Sequence, residues 1–135
     1  MKAIVVILLA AAIGCATASL APIEVWLGED ACAHCRMTLV SIKTAAQIVA
    51  PQDEPLMFDE LGCLRDYLAA HRLAPGGRVF VADHRSGTWV DASHAVFTRT
   101  GVPTAMSSGL LAHADGASRD ADPDAHGGEP AKVLP

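Results

Sequence analysis

The sequence predicts an α+β fold in which short strands lead into one amphipathic helix and a second run of strands follows. Leu61, Leu64 and Leu68 recur at the i, i+3 and i+7 spacing that places apolar side chains on one face of a helix. Short apolar runs bounded by proline, glycine and acidic residues are typical of strands. Because 51% of the residues are hydrophobic, we expect a folded core.

The first unit is expected over residues 19–77. Its predicted strands cover residues 37–42, 45–50 and 56–58. Two prolines within residues 51–55 predict a loop, since proline lacks a backbone N–H. The leucine spacing places the helix over residues 60–72, with Asp59 as its N-cap. Cys63 falls in the first turn of that helix, where we expect a small buried hydrophobe more often than a metal ligand.

The second unit is expected over residues 78–114 and loosely repeats the order of the first. Its predicted strands cover residues 79–83, 88–91 and 110–113. A tight turn at residues 85–87 joins the first two, with Asp83 assigned to turn structure, and residues 92–97 lead into a loop. The acidic segment 115–135 is predicted to be weakly structured, either disordered or a degraded helix and strand.

The first 18 residues carry the features of an export signal. Lys2 precedes an apolar run that is too short to span a bilayer comfortably. The run ends in a bacterial lipobox-like sequence at Cys15, and the alternative is cleavage after Ala18. We favour the first and predict a periplasmic protein whose lipid anchor at Cys15 holds it to a membrane surface facing the periplasm. The alternative is a soluble periplasmic protein.

Net charge and cysteine count narrow the classes of function. The net charge is −5 and no basic patch exists, so nucleic acid is not expected as a partner. After export, Cys32, Cys35 and Cys63 remain. Three cysteines cannot all pair in an oxidising compartment, so at least one thiol needs another role.

The segment Cys32-Ala33-His34-Cys35-Arg36-Met37 concentrates candidate metal ligands. Thiolate and thioether are soft ligands that favour monovalent copper, and Cys35 and Met37 share one face of an extended segment. Three alternatives stay open. Met37 packs as core, Cys32 and Cys35 form a disulfide or a redox dithiol, or structural zinc binds Cys32, Cys35, Cys63 and His34.

Five pieces of the chain, in order, together resemble the NosL family. They are His34-Cys35-Arg36-Met37-Thr38, Ala45-Ala46-Gln47-Ile48, Phe58-Asp59-Glu60-Leu61-Gly62-Cys63, the run from Asp83 to Ala92, and Thr104-Ala105-Met106-Ser107-Ser108-Gly109. Members of that family are periplasmic copper-binding lipoproteins that help to assemble the copper centre of nitrous oxide reductase. The resemblance implies two small, similar α+β units of antiparallel strands with a helix each.

The chain departs from the family pattern at three places. Arg36 stands where the family has glycine, and Ala105 stands where it has proline. The family's C-terminal helix and strand have only weak counterparts in residues 126–134, so if either unit is incomplete we expect it to be the second.

Taken together, these features predict a copper chaperone and not an enzyme. Copper(I) would be held by Cys35, Met37 and Met106, with His34 and Cys32 as the next candidates. Nitrous oxide reductase or its assembly machinery is the expected acceptor, and dimerisation around the ion is left open. The remaining histidines, His84, His94, His113 and His126, are expected at the surface.

Overall fold

A computed structural model describes residues 20–135 and shows an α+β fold built on two antiparallel sheets. The strands are β1 (Ala46–Val49), β2 (Leu56–Phe58), β3 (Arg78–Ala82), β4 (Trp89–Asp91), β5 (Val96–Arg99), β6 (Leu110–His113) and β7 (Glu129–Pro130). The helices are α1 (Leu61–Ala70) and α2 (Gly116–Asp120), with 3-10 helices at Ile42–Thr44 and Pro123–Ala125. The strand orders are β2-β1-β3-β4 and β6-β5-β7, so each small unit pairs one sheet with a helix.

Strand β1 is the centre of the first sheet. All four of its residues are buried, and Gln47 lies opposite Met57 of β2 and Phe80 of β3. A buried amide is tolerated only when it is hydrogen-bonded. The Gln47 side chain accepts a bond from the N–H of Ile23 at 2.8 Å and donates to the Ile23 carbonyl at 3.2 Å. These bonds fasten the segment before the cysteine motif to the sheet.

The first sheet crosses the boundary that the sequence predicts after residue 77. Strand β3 pairs antiparallel with β1 over four residue pairs, and β4 pairs with β3. The hairpin of residues 78–91 therefore completes the first sheet, and the second sheet is formed by β5, β6 and β7. Local sequence patterns locate the strands, but which strands pair with each other depends on contacts between residues that are distant in sequence.

Several elements differ from expectation. The strand predicted over residues 37–42 is wrong, since only Thr38 makes a bridge there, to Ala31, before a 3-10 helix begins. Strand β5 is not predicted from the sequence, in which residues 92–97 only lead into a loop. Helix α1 is shorter than predicted and ends at Ala70, where extended dihedrals at His71 stop it. The C-terminal segment contains α2, a 3-10 helix and β7, which matches the helix-and-strand alternative.

The two sheets share one hydrophobic core. Buried residues from both sheets, from α1 and from the cysteine segment belong to a single cluster, and Val133 joins it from the C-terminal segment. The largest fully buried apolar side chains are Leu39, Phe58, Leu61, Leu64, Val81, Leu110 and Leu111. Within residues 20–135, no helix has the length and apolar character needed to cross a membrane.

Asp83 connects the end of β3 to the second unit. It is 1% exposed, and one carboxylate oxygen accepts bonds from the backbone N–H and the hydroxyl of Ser86. The other oxygen accepts from the N–H of Ala114 at 2.7 Å and the hydroxyl of Ser118 at 2.6 Å. Burial alone would raise the pKa of this carboxyl, but the hydrogen bonds, led by that of Ser118, lower it well below its ordinary value.

We predict that Asp83→Asn destabilises the fold, because an amide cannot accept from donors on both sides. Each buried group left unpaired costs about 1–3 kcal/mol. Because the folded pKa is lowered, the stabilisation by Asp83 is present above pH about 4 and is lost as the pH falls. Urea unfolding at several pH values measures both effects. The exposed Asp120→Asn is the control and should change stability by less than about 0.5 kcal/mol. Equal effects of the two substitutions would contradict this role.

Candidate metal centre

The cysteine motif forms a closed turn that is fastened to the sheet. The N–H of Arg36 donates to the carbonyl of Cys32 at 3.0 Å, and the N–H of Cys32 donates to the carbonyl of Met37 at 2.8 Å. The N–H of Ala33 donates to the carbonyl of Met57 in β2 at 2.7 Å. These three backbone bonds bring both cysteines of the motif to the carboxyl end of β2.

The junction between β2 and α1 supplies the other side of the site. Asp59 follows β2 directly, and Cys63 lies in the first turn of α1. The hydroxyl of Thr44 donates to the backbone carbonyl of Asp59 at 2.9 Å, which fixes the junction. Asp59 precedes the N-cap residue Glu60 and Cys63 follows it, and ligand atoms of both lie together at the start of α1.

The structure brings Cys32, Cys35, Asp59 and Cys63 together. One potential ligand atom from each lies within 4.8 Å of all the others, and the Cys35 sulfur lies 3.6 Å from both carboxylate oxygens of Asp59. Among the described residues, all three cysteines are unpaired thiols. Cys32 and Cys63 are 0% and 2% exposed, whereas Cys35 is partly exposed. This group can hold a metal ion, with access from the side of Cys35.

Burial and neighbouring groups raise the pKa of Cys35 and of Cys63, which favours their protonated forms when no cation is bound. Burial raises the pKa of Cys63 far above its ordinary value, and the neighbouring Cys32 and Asp59 raise it further. Burial also raises the pKa of Cys35, against a lowering effect of the backbone N–H of Met37. A positive ion would reverse this balance, because thiolates bind metals with release of protons.

Met37 and Met106 are both half-exposed, at 51% and 50%. Each is adjacent to a residue with a left-handed backbone, Arg36 at φ 66° and Ser107 at φ 60°. Such conformations are uncommon outside glycine and cluster at functional sites. The alternative that Met37 is packed in the core does not fit its exposure, since buried core side chains are enclosed on all sides.

The loop that carries Met106 is packed against the start of α1. The hydroxyl of Ser108 donates to one carboxylate oxygen of Glu60 at 3.0 Å. A Cβ on Gly62 would lie only 2.7 Å from the Cβ of Ser108, so glycine is needed for this approach. Ser108 therefore packs against Gly62, the residue before Cys63. Met106 lies two residues before Ser108 on the same loop.

Two residue roles differ from the sequence-based expectations. Asp59 was expected to cap α1, but the N-cap position is Glu60, which makes no side-chain capping bond, and the Asp59 carboxylate faces the thiols instead. Cys63, expected more often as a plain hydrophobe, is both buried and part of the cysteine group.

His34 is exposed and does not belong to the cysteine group, so Asp59 takes the place that the structural-zinc alternative gave to it. The anchor predicted at Cys15 lies outside the described residues. A scan against protein-family models found no match for this chain, and a search of curated proteins found no significant relative.

We predict that Cys35 reacts first with an alkylating reagent, since it is the only thiol of the group that is not buried. Its rate should rise with pH because the thiolate is the reacting form. Brief labelling of the folded, reduced chain followed by peptide mass mapping measures the order. Labelling in urea is the control and should equalise the three cysteines. Earlier labelling of Cys32 or Cys63 in the folded chain would contradict the geometry.

Proposed function

We propose that the chain is a copper(I) carrier of the bacterial periplasm and not an enzyme. The observation that carries the proposal is the convergence of three cysteine thiols on one point, with only Cys35 partly exposed. Thiolates are the ligands that select monovalent copper. The resemblance to the NosL family supports the same metal and suggests nitrous oxide reductase or its assembly machinery as the acceptor.

The chemistry of the site suits transfer better than permanent storage. Cys35 is the partly exposed member of the cysteine group, and the half-exposed Met37 follows it by two residues. Met106 stands on a loop fastened to the same helix start. Thioethers bind copper(I) without carrying charge or protons, so they can join or leave the ion as an acceptor ligand approaches from the Cys35 side. A lipid anchor at Cys15 would keep this exchange at a periplasmic membrane surface.

Structural zinc is the second candidate, because three thiolates and the Asp59 carboxylate supply four ligands. Structural zinc sites are closed and sustain folding, whereas this group is open at Cys35 and lies beside a core shared by both sheets. The redox alternative for Cys32 and Cys35 is less well supported. Redox-active cysteines have lowered pKa values, and the pKa of Cys35 is raised.

We predict that the reduced chain is folded without metal and binds one equivalent of copper(I) far more tightly than zinc, because its accessible ligands are soft. Anaerobic competition against a copper(I) chelator and against a zinc chelator measures the two affinities, and circular dichroism reports the fold. Cys35→Ser should weaken copper binding by at least about tenfold, since it removes the ligand at the open side.

Two results would redirect the proposal. A metal-free chain that is unfolded and regains its fold with zinc would establish the structural-zinc alternative. Rapid, reversible Cys32–Cys35 disulfide formation without any copper binding by the reduced chain would establish the redox alternative.

We predict that Met106→Ala weakens copper binding and leaves thermal unfolding of the metal-free chain nearly unchanged. Truncating a core methionine costs about 2–5 kcal/mol, and a half-exposed one should cost much less. Met37→Ala should behave in the same way. Met57 is 8% exposed and gives the matched contrast: Met57→Ala should lower stability and spare copper affinity. Val40→Ala, an exposed residue without sulfur, should change neither property.

If Met106→Ala instead unfolds the chain and spares copper affinity, Met106 is structural. The ion would then be bound by residues of the cysteine motif, Asp59 and Cys63 alone.

A further inference from the structure

A second group of potential ligands lies apart from the cysteines. The Nδ1 atom of His84 and the Nε2 atom of His113 lie 2.8 Å and 2.9 Å from the same carboxylate oxygen of Asp122. One ligand atom from each residue lies within 4.8 Å of the others. The residues are 7%, 0% and 4% exposed, so both histidines are buried, contrary to the surface positions expected from sequence.

Three separate elements position this group. His84 follows β3, and its backbone N–H donates to the carbonyl of Ala112 in β6 at 2.8 Å. His113 is the last residue of β6. Asp122 lies between α2 and the following 3-10 helix, where its other oxygen accepts from the N–H of Asp124 at 3.0 Å. One carboxylate oxygen is therefore used by the backbone, and the other is directed to both imidazoles.

We propose that His84, His113 and Asp122 form a second metal site, specific for a divalent ion of the zinc class. Two imidazoles and a carboxylate are borderline and hard ligands, which suit zinc and cobalt(II) better than copper(I). With both imidazoles neutral, the three ligands carry the single negative charge of the Asp122 carboxylate, which a divalent ion would offset. This site would bind its ion whether or not the cysteine group carries copper.

The present distances are close to those of a metal-bound group. Zinc holds nitrogen and oxygen ligands at about 2.0–2.2 Å in a tetrahedron, which separates neighbouring ligands by roughly 3.4 Å. The hydrogen-bonded pairs would have to open by roughly half an ångström, and each neutral imidazole would carry its proton on the other ring nitrogen, so that the nitrogen facing Asp122 can bind the ion.

His113 has one ring nitrogen that makes no hydrogen bond. Buried imidazoles are normally hydrogen-bonded through both nitrogens. The Nδ1 atom of His113 is buried without a partner among residues 20–135, so the bond from Nε2 to Asp122 is the one hydrogen bond of this ring. An ion reaches the group from the side of His84, which keeps the largest exposed fraction of the three. A bound ion would join the ends of β3 and β6 to the C-terminal segment.

Cobalt(II) titration of the full-length, reduced chain tests the proposal, with cobalt as the probe. Cobalt bound to cysteine gives an intense near-ultraviolet thiolate band, whereas cobalt bound to histidine and carboxylate gives visible d–d bands alone. We expect one equivalent of cobalt bound to histidine and carboxylate. Its binding should raise the thermal unfolding midpoint of the chain. Asp122→Asn should weaken this component more than about tenfold, while the thiolate band remains.

His84→Gln, at the exposed edge of the group, provides a second variant should Asp122→Asn fail to fold. His94→Gln changes an exposed histidine and is the matched control, which should bind cobalt like the unmodified chain. Absence of the sulfur-free component in the unmodified chain would overturn the proposal. So would its persistence in folded Asp122→Asn or His84→Gln, and His84, Asp122 and His113 would then be a hydrogen-bonded structural group only.

Discussion

One backbone hydrogen bond, from the N–H of Ala33 to the carbonyl of Met57, joins the cysteine motif directly to strand β2. The motif has almost no regular structure of its own: its flanking segments form one isolated bridge, between Ala31 and Thr38, with backbone bonds such as that from the N–H of Leu39 to the carbonyl of Asp30 beside it. Fastening the turn to the last residues of β2 places it over the strand that runs directly into Asp59 and α1. The cysteine group exists because a turn, a strand end and a helix start meet at this bond.

The polar groups inside this small protein are concentrated where elements end. Asp59 and Glu60 lie between β2 and α1, Asp83 follows β3, and Asp122 follows α2. Burying a carboxylate is costly unless donors or a cation compensate it. Asp83 is compensated completely by hydrogen bonds, and it is therefore structural. Asp59 has only weak sulfur donors near it, so a cation at the thiols would complete its surroundings.

The sequence predicts the local elements well and their partners less well. The leucine spacing locates α1, and apolar runs locate β1, β2, β3, β4 and β6 to within a residue or two. The placement of β3 beside β1, or of Asp122 beside His84 across 38 positions, depends on long-range packing that no local pattern encodes. The cysteine motif was recognised because its ligands are close in sequence. Asp59 was misassigned because an aspartate before a helix is most often a cap.

The backbone around the two exposed methionines carries the last structural argument. Arg36 precedes Met37 and Ser107 follows Met106, and both have a left-handed conformation that costs a residue with a Cβ about 1–2 kcal/mol. Glycine at the position of Arg36 would carry no such cost. In this chain the turn keeps its shape because backbone bonds on both sides of Arg36 enforce it. Two strained loops that each present a half-exposed thioether are hard to explain by packing, since neither side chain is buried. The copper(I) site proposed above accounts for them, because its thioether ligands would have to remain accessible to the ion.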